Sequence, residues 1–210
     1  MRRNRYAALV PLILALAPLL ALQGCPAIIG AGGVVAVGSL EDRRTTGTQM
    51  EDQGIESRAQ SRIGERFGER AHVNVAAFNR TLLLTGEAWD EATRGEIEKV
   101  ALAVPNVRGV VNEVQVAGVS STTSRANDTA LTARIKGRLI NAKGVHPLHV
   151  KVITEAGVVF LQGLVTEAEA EIAVEIARTT SGVRKVVKVF DYCKITDELC
   201  KPPAEPKPRA

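Results

Sequence analysis

From residue 52 onward the apolar positions run through the same order twice. Leu131, Ile135 and Leu139 stand at i, i+4 and i+8, the spacing of one buried helical stripe, and Ile55, Ala59 and Ile63 repeat it more weakly. Each stripe is followed by two short segments that alternate or run apolar and are rich in β-branched residues. Asn79-Arg80 divides the first pair and Ala156-Gly157 the second, where a tight hairpin turn belongs. Asp90 and Thr166 are suited to cap a second helix, and Thr166 with Glu169 has capping-box spacing. Val107 to Val116 and Val183 to Phe190 close each round as a strand. The pattern predicts an α+β fold of two αββαβ repeats, each a small three-stranded mixed sheet covered on one face by two helices.

The repetition extends to residue identity. His72-Val73-Asn74-Val75 matches His149-Val150-Lys151-Val152 at an offset of 77, as Leu82-Leu83-Leu84-Thr85-Gly86 matches Val159-Phe160-Leu161-Gln162-Gly163. Beyond one deleted residue the offset is 76, and Val107-Arg108-Gly109-Val110-Val111 meets Val183-Arg184-Lys185-Val186-Val187. Upstream, also at 76, Asp52, Ile55, Arg58 and Ile63 meet Asp128, Leu131, Arg134 and Leu139. The first domain is expected over residues 52–117 and the second over 127–191, with a Ser/Thr-rich linker over 118–126.

Composition narrows the function classes. The 210 residues carry 27 basic and 23 acidic side chains, a net charge of +4, and only 3% are aromatic. Arg2, Arg3 and Arg5 precede an apolar run from Ala7 to Leu22, a signal-peptide layout over residues 1–24. Removing that segment leaves 27 − 3 = 24 basic against 23 acidic residues, which speaks against a charge-driven nucleic-acid protein. Leu22-Gln23-Gly24-Cys25 resembles a bacterial lipobox, which makes Cys25 the expected site of diacylation and the new N-terminus. Residues 25–51 then read as a lipidated tether. Residues 192–210 form a Pro-rich tail carrying Cys193 and Cys200, an even pair in an exported chain, for which a disulfide is the natural reading.

The αββαβ order, the Leu-Thr-Gly and Leu-Gln-Gly ends of the middle strands, and the Asn-Val-Arg and Gly-Val-Arg approaches to the last strands resemble the BON family. The two copies behind a lipobox resemble its dual-BON periplasmic lipoproteins in particular. Further marks are Gly47-Thr48-Gln49-Met50-Glu51-Asp52, Ala126-Asn127-Asp128-Thr129 and the run Val159 to Glu167. The resemblance implies binding to anionic phospholipid, support of envelope integrity, no enzymatic activity and no cofactor. Pro26, in place of the Asp that retains enterobacterial lipoproteins in the inner membrane, implies the periplasmic face of the outer membrane. Such lipoproteins carry Trp after the Asn-Asp-Thr turn, where this chain has Ala130.

The residues supply their own argument for a lipid surface. On a helical wheel centred on Ile135, Ile140 falls nearly opposite with Lys136 beside it, an interfacial pairing. Arg134 and Arg138 flank the stripe in positions to snorkel towards headgroups, and Thr129 to Lys143 contains no Asp or Glu. The expected lipid-binding set is Ala130, Arg134, Lys136, Gly137, Arg138, Ile140 and Asn141. The alternative is a docking scaffold for envelope proteins, which does not require the Lys136 and Ile140 face. His72 and His149 occupy matching positions at strand starts, which favours a structural role over metal binding, and no nucleophile or phosphate-loop motif is present.

Overall fold

A computed structural model describes residues 42–117 and 122–200. The segment read as a signal peptide, Cys25, the chain up to Glu41 and the tail from Lys201 lie outside the described residues. In the first repeat α1 (Thr46–Phe67) is followed by β1 (Ala71–Phe78), β2 (Thr81–Ala88), α2 (Glu91–Leu102), β3 (Gly109–Asn112) and β4 (Gln115–Val116). The second repeat has α3 (Thr122–Ile140), β5 (Val150–Glu155), β6 (Val158–Val165), α4 (Glu167–Arg178) and β7 (Lys185–Tyr192). In both sheets the hairpin strands pair antiparallel and the last strand joins the middle one in parallel, so each sheet is mixed as predicted. The third position of the first sheet is split, β3 and β4 both pairing with β2.

Two element boundaries differ from the sequence expectation. The segment read as tether is helical from Thr46, because Thr45 caps α1 with its side-chain oxygen accepting from the Thr48 amide at 3.1 Å. The segment read as linker is helical from Thr122, leaving residues 118–121 outside the described structure. At the tail, Tyr192 still belongs to β7, and Cys193 and Cys200 are disulfide-bonded with Cα atoms 6.2 Å apart.

One carboxylate per repeat explains the Asp52 and Asp128 match. In each hairpin both turn residues have positive φ, 48° and 65° at Asn79 and Arg80, 48° and 74° at Ala156 and Gly157. That geometry leaves two turn amides pointing back at the opening helix. Asp52, buried in α1, accepts from the Asn79 and Arg80 amides at 2.8 and 2.7 Å, and Asp128 accepts from Ala156 and Gly157 at 2.8 Å each. The glycines ending the middle strands have an equally specific cause. A Cβ at Gly86 would stand 2.0 Å from the His72 carbonyl oxygen, and one at Gly163 would stand 2.3 Å from that of His149.

The helices cover one face of each sheet, enclosing Ile55, Ile63, Leu82, Leu84 and Ile97 in the first repeat and Leu131, Ile135, Val159, Leu161 and Ala173 in the second. The opposite faces are not left open. Leu83, Thr85 and Glu87 of β2, and Phe160 and Gln162 of β6, alternate away from the helices yet are buried. They are buried because the two repeats meet through their helix-free faces. Asn74 of β1 donates to Glu155 of β5 at 2.8 Å, and Lys151 of β5 reaches Glu56 at 2.5 Å and the Ala77 carbonyl at 3.2 Å. Asp191 of β7 accepts from Asn79 and Arg108, and Gln162 donates to the Thr81 carbonyl.

Candidate functional site

Helix α3 is held from three sides, which fixes the direction in which its remaining face points. Leu131, Ile135 and Leu139 are 4%, 0% and 1% exposed in the second core, while Asp128 grips the β5–β6 turn. On the other side Ile140 is 67% exposed, beside exposed Lys136 and next to exposed Asn141, with exposed Ala130 about 15 Å back along the helix. Gly137 is half-buried, and its carbonyl accepts from the Asn141 side chain at 2.8 Å. These five residues lie on one side of the helix, four of them at its C-terminal end and Ala130 near its middle.

The two arginines expected beside them are engaged elsewhere. Arg138 donates to the Ile176 carbonyl and the Thr180 hydroxyl at 2.6 Å each and to the Thr179 hydroxyl at 2.9 Å, so its guanidinium caps the C-terminal end of α4. Arg134 donates to the Ser181 carbonyl at 3.0 Å in the same region. Arg62, which matches Arg138 at the repeat offset, makes the corresponding bond to the Ala103 carbonyl just past α2. Arg138 and its counterpart therefore clamp the two helices of their repeats, yet Arg134 and Arg138 remain exposed and bond only to neutral oxygens, so the outward positive charge of this region is shared among Arg134, Lys136, Arg138 and Lys143.

Lys136 also borders an open cleft of about 580 Å³ between the repeats, together with Thr132, His72, Asn74 and Glu155. Burial pushes the Glu155 carboxyl above the ordinary range against the Asn74 hydrogen bond, and the charges of Glu87 and Asp128 add to the rise while His72 opposes it. One oxygen of buried Glu87 has no hydrogen-bond partner, and His72 stands opposite it across the β1–β2 ladder.

Two further features near the end of α3 carry no local sequence signal. Leu148, in a single 3₁₀ turn (Pro147–His149), is 45% exposed, and its repeat counterpart is Ala71. Beside it His149 Nδ1 lies 3.3 Å from Glu169, the capping-box residue of α4. Glu169 also receives both ends of the Arg43 guanidinium, at 2.6 and 3.0 Å, and Arg43 donates further to the Leu164 carbonyl. Burial opposes charge on Glu169, but the bonds from Arg43 and Thr166 outweigh it and hold the carboxyl at about 2. Arg44 next door binds Asp42 and Asp52 and stacks over Phe78, so residues 42–44 form a strap fastened to both repeats. Among the described residues no helix is long and apolar enough to cross a membrane, and no group of three His, Cys, Asp or Glu side chains is arranged to hold a metal.

Comparison with known families matches a BON domain model to residues 51–118 and again to residues 127–194. The chain belongs to the BON family. Its two BON domains also align with curated relatives. Outer membrane lipoprotein DolP of Haemophilus influenzae is 36% identical over 173 residues, covering 81% of this chain and 90% of the relative. The 21 kDa hemolysin of Actinobacillus pleuropneumoniae is 34% identical over 153 residues, covering 72% and 79%. Osmotically-inducible protein Y of Escherichia coli is 31% identical over 144 residues, covering 67% and 72%. The BON domains of this chain are thus the αββαβ units that the repeat predicted.

Proposed function

We propose that the protein is a lipid-anchored component of the outer membrane, held by acyl chains on Cys25 at the periplasmic face, whose second BON domain binds anionic phospholipid and supports envelope integrity. The relative named as an outer membrane lipoprotein supports the anchored location. The observation that carries the lipid reading is Ile140, 67% exposed at the end of a helix whose other apolar residues are buried, with Lys136 beside it. A large exposed aliphatic costs nothing extra in water when isolated, but next to a lysine it matches the boundary between acyl chains and anionic headgroups. Gly137 and Asn141 supply the low-relief surface around it, Ala130 extends the same side towards the middle of the helix, and exposed Lys143, Arg134 and Arg138 add positive charge. Arg134 and Arg138 also hold the helix in place.

Binding of vesicles by the chain from Pro26 to Ala210 tests this reading, since both cores lie within the described residues 42–200. Ile140→Glu removes apolar burial and sets a negative charge against the surface. The expected loss is about 2 to 3 kcal/mol, roughly 30- to 150-fold in affinity, with circular dichroism unchanged. Ile135→Glu, in the core, unfolds the domain and serves as the control for misfolding. A folded Ile140→Glu protein that binds as the parent does overturns the reading in favour of protein docking.

A further inference from the structure

We infer that the membrane contact of the second repeat has a second apolar point, Leu148, beside the end of α3; the inference rests on the lipid-binding reading above. The 3₁₀ turn that carries Leu148 is built rigidly. Val145 before it and Val150 after it are 6% and 5% exposed in the core, which pins both ends of a short loop. His149 donates its amide to the His146 carbonyl at 3.0 Å, and His146 Nδ1 accepts from the Leu148 amide at 3.4 Å. Between two buried valines, a leucine 45% exposed on an ordered turn is an unburied apolar group that the fold itself does not require. The matching position in the first repeat, Ala71, offers no such side chain.

The surroundings select a lipid surface as its partner. Ile140 ends α3, exposed Lys143 stands in the connection that follows, and Leu148 lies just before β5 in a turn that packs against α3, so in chain order two exposed apolar residues flank a cation. Across residues 140–148 there is no Asp or Glu, which suits an anionic surface and not a basic one. The anchored part of the chain also arrives here. Arg43 is bound to Glu169, which touches His149, the neighbour of Leu148. Cys25 precedes Asp42 by 17 residues, a reach of at most about 60 Å. An anchor on so short a span raises the effective concentration of this end of the repeat at the bilayer, so that two modest contacts suffice.

The test compares Leu148→Glu, Leu148→Ser and Ile140→Glu in the chain from Pro26 to Ala210. Binding is measured by co-sedimentation with vesicles of phosphatidylethanolamine and phosphatidylglycerol, with phosphatidylcholine alone as the neutral control. Leu148→Glu should weaken binding to the anionic vesicles by about tenfold, Leu148→Ser by less, and the double variant Ile140→Glu/Leu148→Glu by more than either single change. Circular dichroism must show the variants folded, and the serine variant keeps the test open should the glutamate disturb the turn. If both folded Leu148 variants bind as the parent while Ile140→Glu does not, the second contact point is refuted and the lipid reading of α3 survives. If Ile140→Glu also binds unchanged, both fall together.

Discussion

Replacing Glu169 with Gln separates two jobs that one side chain performs. As the third residue of α4 it closes a capping box with Thr166, a role that Gln also fills. As a carboxylate it neutralises Arg43, whose side chain is only 9% exposed. The carboxyl sits at about 2 against an ordinary 4.5, a displacement worth about 3 kcal/mol of stability at neutral pH. Because the folded value is depressed, that stability is complete above the unfolded value and is lost as pH falls from about 4.5 towards 2. Glu169→Gln should therefore cost about 3 kcal/mol at pH 7, and the gap to the parent should shrink to about 2 kcal/mol by pH 3.5. Urea titrations at a series of pH values measure both numbers. Arg43→Ala should cost a similar amount, with the double variant far from additive, because either change alone leaves a buried charge unpaired. A Glu169→Gln deficit that is small, or that stays constant with pH, would refute the account of the strap.

Two other perturbations address the seam and the hairpins. Glu155→Gln keeps the Asn74 bond but removes a charge that burial, Glu87 and Asp128 disfavour, so the variant should be more stable than the parent at pH 7; the advantage should vanish as pH falls through the raised carboxyl value into the ordinary range, and an advantage that persists at low pH in denaturant titrations contradicts this. Gly86→Ala places a Cβ 2.0 Å from a backbone oxygen at a φ of 111° and should cost at least about 3 kcal/mol in thermal unfolding, whereas Gly95→Ala, within α2 and with open space around it, should be neutral or stabilising.

The elements of each repeat were legible because their signals are local: stripe spacing for α1 and α3, cap chemistry at Asp90 and Thr166, and paired turn residues at both hairpins. The pairing of the sheets was written in the sequence too, though less openly. Leu82-Leu83-Leu84 and Val159-Phe160-Leu161 are unbroken apolar runs, which a strand needs when both its faces are buried. The roles of Arg134 and Arg138 were not readable from a wheel, which gives a direction from the helix axis and no account of what another element brings there. The strap lay further out of reach, since Arg43 and Glu169 are 126 residues apart and nothing near either of them marks the other. At the proposed membrane face, the exposure of Lys136 and Ile140 followed from periodicity alone, whereas Leu148 sits in a loop where periodicity has no meaning.

The contacts between β1 and β5 have the reciprocity of a two-fold axis. Asn74 reaches from the first copy to Glu155 near the end of β5, and Lys151, which occupies the Asn74 position in the second copy, reaches back to the Ala77 carbonyl near the end of β1. Such a pairing is what two identical subunits would form by association. Covalent linkage releases it from the condition of identity. Asn at one position answers a carboxylate, Lys at its counterpart answers Glu56, and neither choice constrains the other. The same freedom extends to the outer surfaces, where position 140 holds an exposed isoleucine and its counterpart, Gly64, has no side chain. One copy can thus specialise in meeting a surface while its twin supplies the half of the interior that covers it.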